Sequence, residues 1–264
     1  MTSVGTTGSR QLLRAEGLSK RFGGVQALSD VSFAMHRGQI VGLIGPNGSG
    51  KSTCVNLLSG NLPVSAGEVW LDDELLTGEP IDAAVVKGLA RTFQSTQIFA
   101  EHTALENVML GCHTLFKQGP EKSVLRTASA KRENLELVTH AERSLALVGL
   151  APRRDQIAST LSAAEQRLLM IAVALATKPK VILLDEPAAG MVASERRALA
   201  GIIRALPSHG VSVLVIEHHM GLIMEVCDRI VVLNFGQKIA EGTPAEIRNN
   251  QAVIDAYLGH RDHA

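Results

Sequence analysis

The chain has 264 residues, of which 45% are hydrophobic, 20% charged and 3% aromatic, with 26 basic side chains against 26 acidic ones. That length allows one large domain or two small ones around an aliphatic core. A net charge of zero argues against a basic nucleic-acid face and against a polybasic membrane anchor.

The N-terminal MTSVGTTGSR has no apolar region of the kind a signal peptide needs. Residues 1–10 are expected to form a loose tail. Strand signals follow at LLRAEGL (12–18), ALSDVSFAM (27–35) and QIVGLIG (39–45). A Gly-rich turn then leads into a helix around 51–60, and GEVWLDDELL (67–76) reads as a strand with a turn. From about 104 to 178 only helical periods are present, with Ala141, Leu145 and Val148 at helical spacing and KQGPEKS (117–123) as a loop between helices. The longest apolar run, LLMIAVALA (168–176), is far short of the roughly 20 residues that span a membrane. Any membrane role therefore goes through a partner.

VILLD (181–185) and SVLVIEH (212–218) are short, continuous apolar runs, the pattern of parallel strands covered on both faces. A helix at about 194–206 between them completes a βαβ unit. RIVVLNFGQKIAEG (229–242) reads as a hairpin turning near Asn234–Gly236, and helical segments close the chain. Cys54, Cys112 and Cys227 are far apart and form no CxxC pair. They are expected to be buried free thiols rather than a zinc site or a disulfide framework. The expected architecture is an α/β core with a helical insertion at roughly 100–178.

The strongest motif is GPNGSGKST at 45–53, which fits G-x-x-x-x-G-K-[ST] between a strand and a helix. Gly45, Gly48 and Gly50 let the backbone turn its N–H groups inward, toward a phosphate chain at a helix N-terminus. Lys51 would reach the β- and γ-phosphates, and Ser52 would bind Mg²⁺. VILLDEP (181–187) supplies the matching carboxylates. Asp185 would hold Mg²⁺, directly or through water. Glu186, one residue on, would polarise an attacking water.

With these residues in place, the chain from about residue 11 onward resembles an ATPase subunit of an ABC transporter. The resemblance implies a P-loop NTPase core with a RecA-like mixed sheet, an N-terminal antiparallel β-subdomain and a helical subdomain insertion. It extends the ATP site to Phe22, Gly45, Asn47, Gly48, Ser49, Gly50, Lys51, Ser52 and Thr53. Phe22, in KRFGG, takes the place of the aromatic that stacks on adenine. Gln94, in ARTFQ, matches the glutamine loop that senses Mg²⁺ and contacts the membrane subunit, which places it beside Ser52 and Asp185 as a metal group. Glu186 matches the catalytic glutamate, and His218 the switch histidine at the γ-phosphate. His218 and His219 are adjacent and would diverge, which sets aside a metal pair.

FGGVQALSDVSF, GLARTFQ, LDEPAAG and GQKIAEGTPAEI…AYLG narrow the resemblance to the ATPase subunits of branched-chain amino-acid importers, the longer of the two such systems carry. Implied with it are ATP and Mg²⁺, a second ABC ATPase subunit in a homo- or heterodimer, transmembrane permeases and, indirectly, a solute-binding protein, with no nucleic acid. The implied location is peripheral, at the cytoplasmic face of the inner membrane.

TLSAAEQR (160–167) has the Ser162–Glu165 spacing of a capping box. By resemblance, Ser162, Ala163, Ala164, Glu165 and Gln166 also form the signature that closes over a partner's ATP. Two departures fall there. Ala164 stands where the family has glycine, and Met191-Val192-Ala193 stands where it has Leu, then Asp or Asn, then Pro. Val192 cannot make a polar contact across a dimer. An alternative expectation follows: a module that binds ATP, hydrolyses it weakly and serves mainly as a regulatory or structural half of a heterodimer. A separate expectation is an asymmetric heterodimer: this chain's own ATP site, closed by the partner's signature, would work, and the composite site closed by LSAAEQ would be weak or inactive. The cost at Ala164 is small if its φ is helical and large if the backbone must touch phosphate.

Overall fold

A computed structural model describes residues 11–92, 98–112 and 128–258. The expected tail at 1–10, the loop at 117–123 and Gln94 lie outside the described residues.

Two sheets carry the fold. In the first, β1 (Gln11–Phe22), β2 (Val25–His36), β4 (Ala66–Leu71) and β5 (Glu74–Leu75) pair antiparallel in the order β2-β1-β4-β5. The turn expected inside 67–76 is the two-residue link Asp72–Asp73, whose φ angles of 53° and 66° suit a tight hairpin. In the second sheet, β3 (Ile40–Ile44), β6 (Leu89–Thr92), β7 (Val181–Asp185), β8 (Ser212–Ile216) and β9 (Arg229–Asn234) run parallel. The order is β10-β9-β3-β8-β7-β6, with β10 (Gln237–Gly242) antiparallel at one edge through the expected turn at Phe235–Gly236.

β3, β7 and β8 are buried along their whole length, as continuous apolar runs require. Alternation then sorts their side chains between two cores. Leu43, Leu183, Leu214 and Val231 point toward α1 (Lys51–Leu58) and the antiparallel sheet. Ile182, Val213, Val215 and Val232 point the other way, into a core shared with the helices. Those helices are α3 (Ala104–Gly111), α4 (Ala128–Leu147), α5 (Ala163–Ala176) and α6 (Ala193–Ala205). Ala141, Leu145 and Val148, picked out by their spacing, are all in this core. The stretch read as purely helical also contains short 3₁₀ turns at 151–153 and 158–160 and a single antiparallel bridge between Thr103 and Ile157. All three cysteines are free and buried.

Two helices have no counterpart in the sequence reading. α2 (Ile81–Lys87) buries only Ala84 and exposes Ile81 and Val86, so it has no apolar stripe to detect. α7 (Met220–Val226) is apolar nearly all round and holds Gly221, so it shows no period. SVLVIEH was expected to be strand throughout, but β8 stops at Ile216. The Glu217 carboxylate bonds backbone N–H groups of the next turn and ends the ladder there. The chain closes with α8 (Pro244–Arg248) and α9 (Gln251–Leu258).

Candidate functional site

β3, β8 and β7 are neighbours in the sheet and parallel, so their C-terminal ends lie side by side. The phosphate loop leaves β3, Asp185 ends β7 with Glu186 next after it, and His218 follows β8. A crevice at the carboxyl ends of such strands is where α/β sheets bind ligands.

The loop's shape depends on glycine. Gly45, Gly48 and Gly50 have φ of 153°, 79° and 102°. A Cβ on Gly45 would fall 2.1 Å from the Leu233 carbonyl oxygen, and one on Gly50 would fall 2.9 Å from that of Ala27. Gly50 begins α1, so the helix's first N–H groups open into the loop. The Lys51 ammonium donates to the carbonyls of Gly45 (2.7 Å) and Pro46 (3.0 Å), which places it along the loop's inner side. Burial pushes its pKa below the usual lysine value, and the Glu186 carboxylate pulls it back up. Ser49 is buried and its hydroxyl has no partner among the described residues, while Asn47 and Ser52 are exposed and Thr53 is half-buried.

Asp185 is nearly buried and is held by Arg91, whose Nη2 lies 2.9 Å from Oδ2. The other guanidinium arm donates to Asn56 Oδ1 (2.7 Å) and Ser59 Oγ (3.0 Å) on and just after α1. Arg91 thus ties the end of β7 to the helix behind the phosphate loop. The sequence reading used ARTFQ only for Gln94 and passed over this arginine. A charge inside a buried parallel strand was the available signal.

Glu186 has φ +48°, a conformation that costs a non-glycine residue of order 1 to 3 kcal/mol. Its N–H donates to the Ile216 carbonyl at 2.9 Å. His218 Nδ1 lies 3.8 Å from Glu186 Oε1, and the ring is largely exposed. His219 points elsewhere: its Nδ1 accepts from the Leu222 N–H and caps α7. Phe22 stands at the end of β1 with its ring exposed and the Lys20 ammonium 5.2 Å from the ring centre.

The signature segment forms the expected capping box. Ser162 Oγ accepts from the Glu165 N–H (3.2 Å), and Glu165 Oε2 accepts from the Ser162 N–H (2.9 Å). The Ser162 backbone bond, helped by Arg153, holds the Glu165 carboxyl below its usual pKa. Gln166 donates to the carbonyls of Ala158 and Leu161. Ala163 is exposed. Ala164 lies inside α5 with no positive φ, and its half-buried methyl packs against the chain's own core. The condition for a small cost at the glycine position is therefore met. Among the described residues, no hydrogen bond joins 162–166 to 45–53. The link to the sheet edge is Arg167, whose Nη1 approaches the Glu186 carbonyl at 3.5 Å.

A glycine-shaped phosphate loop beside a strand ending in two carboxylates defines a P-loop nucleotide-binding cassette. Models of two families match the chain: ABC transporter over residues 28–189, and branched-chain amino acid ATP-binding cassette transporter over residues 237–263. The high-affinity branched-chain amino acid transport ATP-binding protein LivG of Escherichia coli K12 is 40% identical over 252 residues, covering 95% of this chain and 99% of that one. BraF of Pseudomonas aeruginosa PAO1, described in the same words, has the same identity and coverage. A crystal structure of an ATP-binding cassette of an ABC transporter, in its ADP conformation, superimposes with a TM-score of 0.83 at 32% identity, covering 95% of this chain and 99% of that one. The chain belongs to the ABC transporter family and is one of its ATP-hydrolysing cassettes, of the branched-chain amino acid type. Nothing in the geometry or the comparisons supports the weakly hydrolysing alternative.

Proposed function

We propose that this chain energises uptake of branched-chain or related amino acids by hydrolysing ATP beneath membrane permease partners. The observation that carries this reading is the convergence of Lys51, Asp185, Glu186 and His218 at the carboxyl ends of the neighbouring strands β3, β7 and β8. The substrate class comes from LivG and BraF, whose names state branched-chain amino acid transport.

The loop N–H groups and Lys51 hold the β- and γ-phosphates, and the exposed Phe22 ring offers a face to adenine. Among the described residues, no cluster of three His, Cys, Asp or Glu side chains forms a metal cage. The donors present instead fit a Mg²⁺ that arrives with the nucleotide: the exposed Ser52 hydroxyl, Asp185 and, outside the described residues, Gln94. Mg²⁺ would neutralise charge on the phosphates. Glu186 accepts the proton of the attacking water, and His218 faces the γ-phosphate.

The single cassette spans residues 11–264, after a tail at 1–10, with a helical subdomain at about 100–178 that docks on the permease. Ser162, Ala163, Ala164, Glu165 and Gln166 close over the ATP of a second ABC ATPase subunit, packed head to tail. A solute-binding protein acts through the permeases, and nucleic acid has no role. Among the described residues, no helix is long and apolar enough to cross a membrane. Attachment at the cytoplasmic face of the membrane is peripheral, through the permease partners.

The test is Mg·ATP turnover and leucine uptake by the assembled transporter, with Lys51→Ala alongside. Both should fall by at least about 10²-fold in the variant. Turnover that survives Lys51→Ala would refute the site, and turnover without amino-acid uptake would refute the substrate class.

A further inference from the structure

We infer that Glu217 is a positioning residue for hydrolysis: a buried carboxylate that ties the loop after β7 to the loop after β8, so that Glu186 and His218 are held in one register. Glu217 is fully buried. Its Oε1 accepts from the Ala188 N–H at 2.8 Å. Its Oε2 accepts from the N–H groups of His218 (3.1 Å) and His219 (3.2 Å). One side chain thus fastens the backbone two residues after Glu186 and the backbone of His218 itself.

Simple stability does not account for a carboxylate there. Taking a carboxylate out of water costs several kcal/mol, and an apolar side chain continuing the run of β8 would avoid that cost. Among the described residues, no lysine or arginine pairs with Glu217; the His218 ring lies nearby, with Nδ1 3.9 Å from Oε2. Three backbone donors, each in a charge-assisted bond, compensate the burial. The outcome is a fixed distance between two loops that otherwise belong to different strands.

Glu186 needs such a fixture. Its φ of +48° persists only if its surroundings determine it from more than one side. The Glu186 N–H is bound to the Ile216 carbonyl, the residue before Glu217, and the Glu217 carboxylate binds Ala188 on the far side. The two contacts bracket Glu186 from the β8 side. Glu217 has no described contact with the phosphate loop, so it acts through Glu186 and His218.

This inference rests on the hydrolytic reading of Glu186 and His218. Glu217→Gln keeps the volume but turns an amide NH₂ toward backbone N–H groups, so one of the two loops is released. In the assembled transporter, kcat should fall by about 10- to 10²-fold. The KM for ATP and the affinity of the full chain for a fluorescent ATP analogue should stay within about twofold, because the phosphate loop is untouched. Glu217→Asp, which retains charge but loses reach, should fall between variant and parent. A folded Glu217→Gln protein with parental kcat, or one that loses ATP binding and kcat together, would overturn the inference.

Amide hydrogen exchange on the unmodified full chain tests the tie without any variant. The Ala188, His218 and His219 amides should open together at one rate. If Ala188 exchanged far faster than the histidine pair, the tie would be refuted even if both variants failed to fold. Exchange needs no turnover, so its failure is distinct from failure of the hydrolytic reading, which Lys51→Ala reports.

Discussion

The proposed nucleotide site and the surface proposed to face a second ATPase subunit are built in opposite ways. Around the carboxyl ends of β7 and β8, Asp185, Arg91 and Glu217 are buried or nearly so, and each is fixed by contacts reaching across separate elements. At the surface proposed to face a partner, the Ser162 and Glu165 side chains cap the backbone of their own helix end and Glu165 also pairs with nearby Arg153, while Ala163 and Val192 are exposed. A site that must place charges around a phosphate needs a preorganised frame. A surface completed by another subunit needs only a regular helix end with its first N–H groups free. Both departures from the family pattern fall on the second kind of surface: Ala164 sits within a completed capping box, and Val192 starts α6 without a side-chain cap bond.

The largest effect should come from breaking the frame. Arg91→Ala would leave Asp185 and Asn56 without the guanidinium between them. Removing one partner of a buried pair costs about 3 to 5 kcal/mol. Denaturant unfolding should report a loss of that size, together with reduced turnover. If stability fell by under about 1 kcal/mol, Asp185 would be held by something other than Arg91.

The frame was only half visible in the sequence. GPNGSGKST and VILLDEP could be read because each chemical role sits in a contiguous string whose flanking strand and helix are themselves periodic. Arg91 showed only as a charge inside an apolar strand, and the roles of Arg91, Arg167 and Glu217 could not be read, because their partners lie on other strands and turns: Asp185 for Arg91, the Glu186 carbonyl for Arg167, Ala188 for Glu217. Reading them requires the strand order β3-β8-β7-β6, and no local pattern encodes that. The two cores were legible wherever burial imposed a period, as at Ala141 and Leu145. α2 was invisible because one buried alanine imposes none.

On the side proposed to face a partner, acid should loosen the Ser162–Glu165 cap. Glu165 is held below its usual carboxyl pKa in the fold, so its contribution is complete above the unfolded value of about 4.3 and lost as pH falls through the folded one. Comparing Tm against pH for the parent and Glu165→Gln should give curves that separate near neutrality and converge in acid. A gap that widened in acid would contradict this sign.

A smaller, stabilising effect is expected at Val192. It occupies the N-cap of α6 with a β-region backbone but has no side-chain oxygen to offer the first turn, although Glu195 reaches back to the Val192 N–H at 2.9 Å. Val192→Asp should complete the box and stabilise the chain by about 1 kcal/mol in denaturant unfolding. If the same change also raised ATP turnover of the assembled transporter, the valine would be limiting the contact with the partner as well as the cap.

The smallest expected effect answers the question raised by the two alanines. Ala164 is already in helical conformation and its methyl rests on the chain's own core, so restoring the family's glycine relieves no backbone strain. Glycine instead gives up helix propensity and a little apolar contact, together about 0.5 to 1 kcal/mol. Ala164→Gly should therefore lower stability slightly and leave turnover within about threefold of the parent, a spread of roughly 0.7 kcal/mol in the barrier. A rise of tenfold or more would mean that the methyl obstructs the partner's phosphates when the dimer closes, which would restore the asymmetric dimer in which the site closed by LSAAEQ is the weak one.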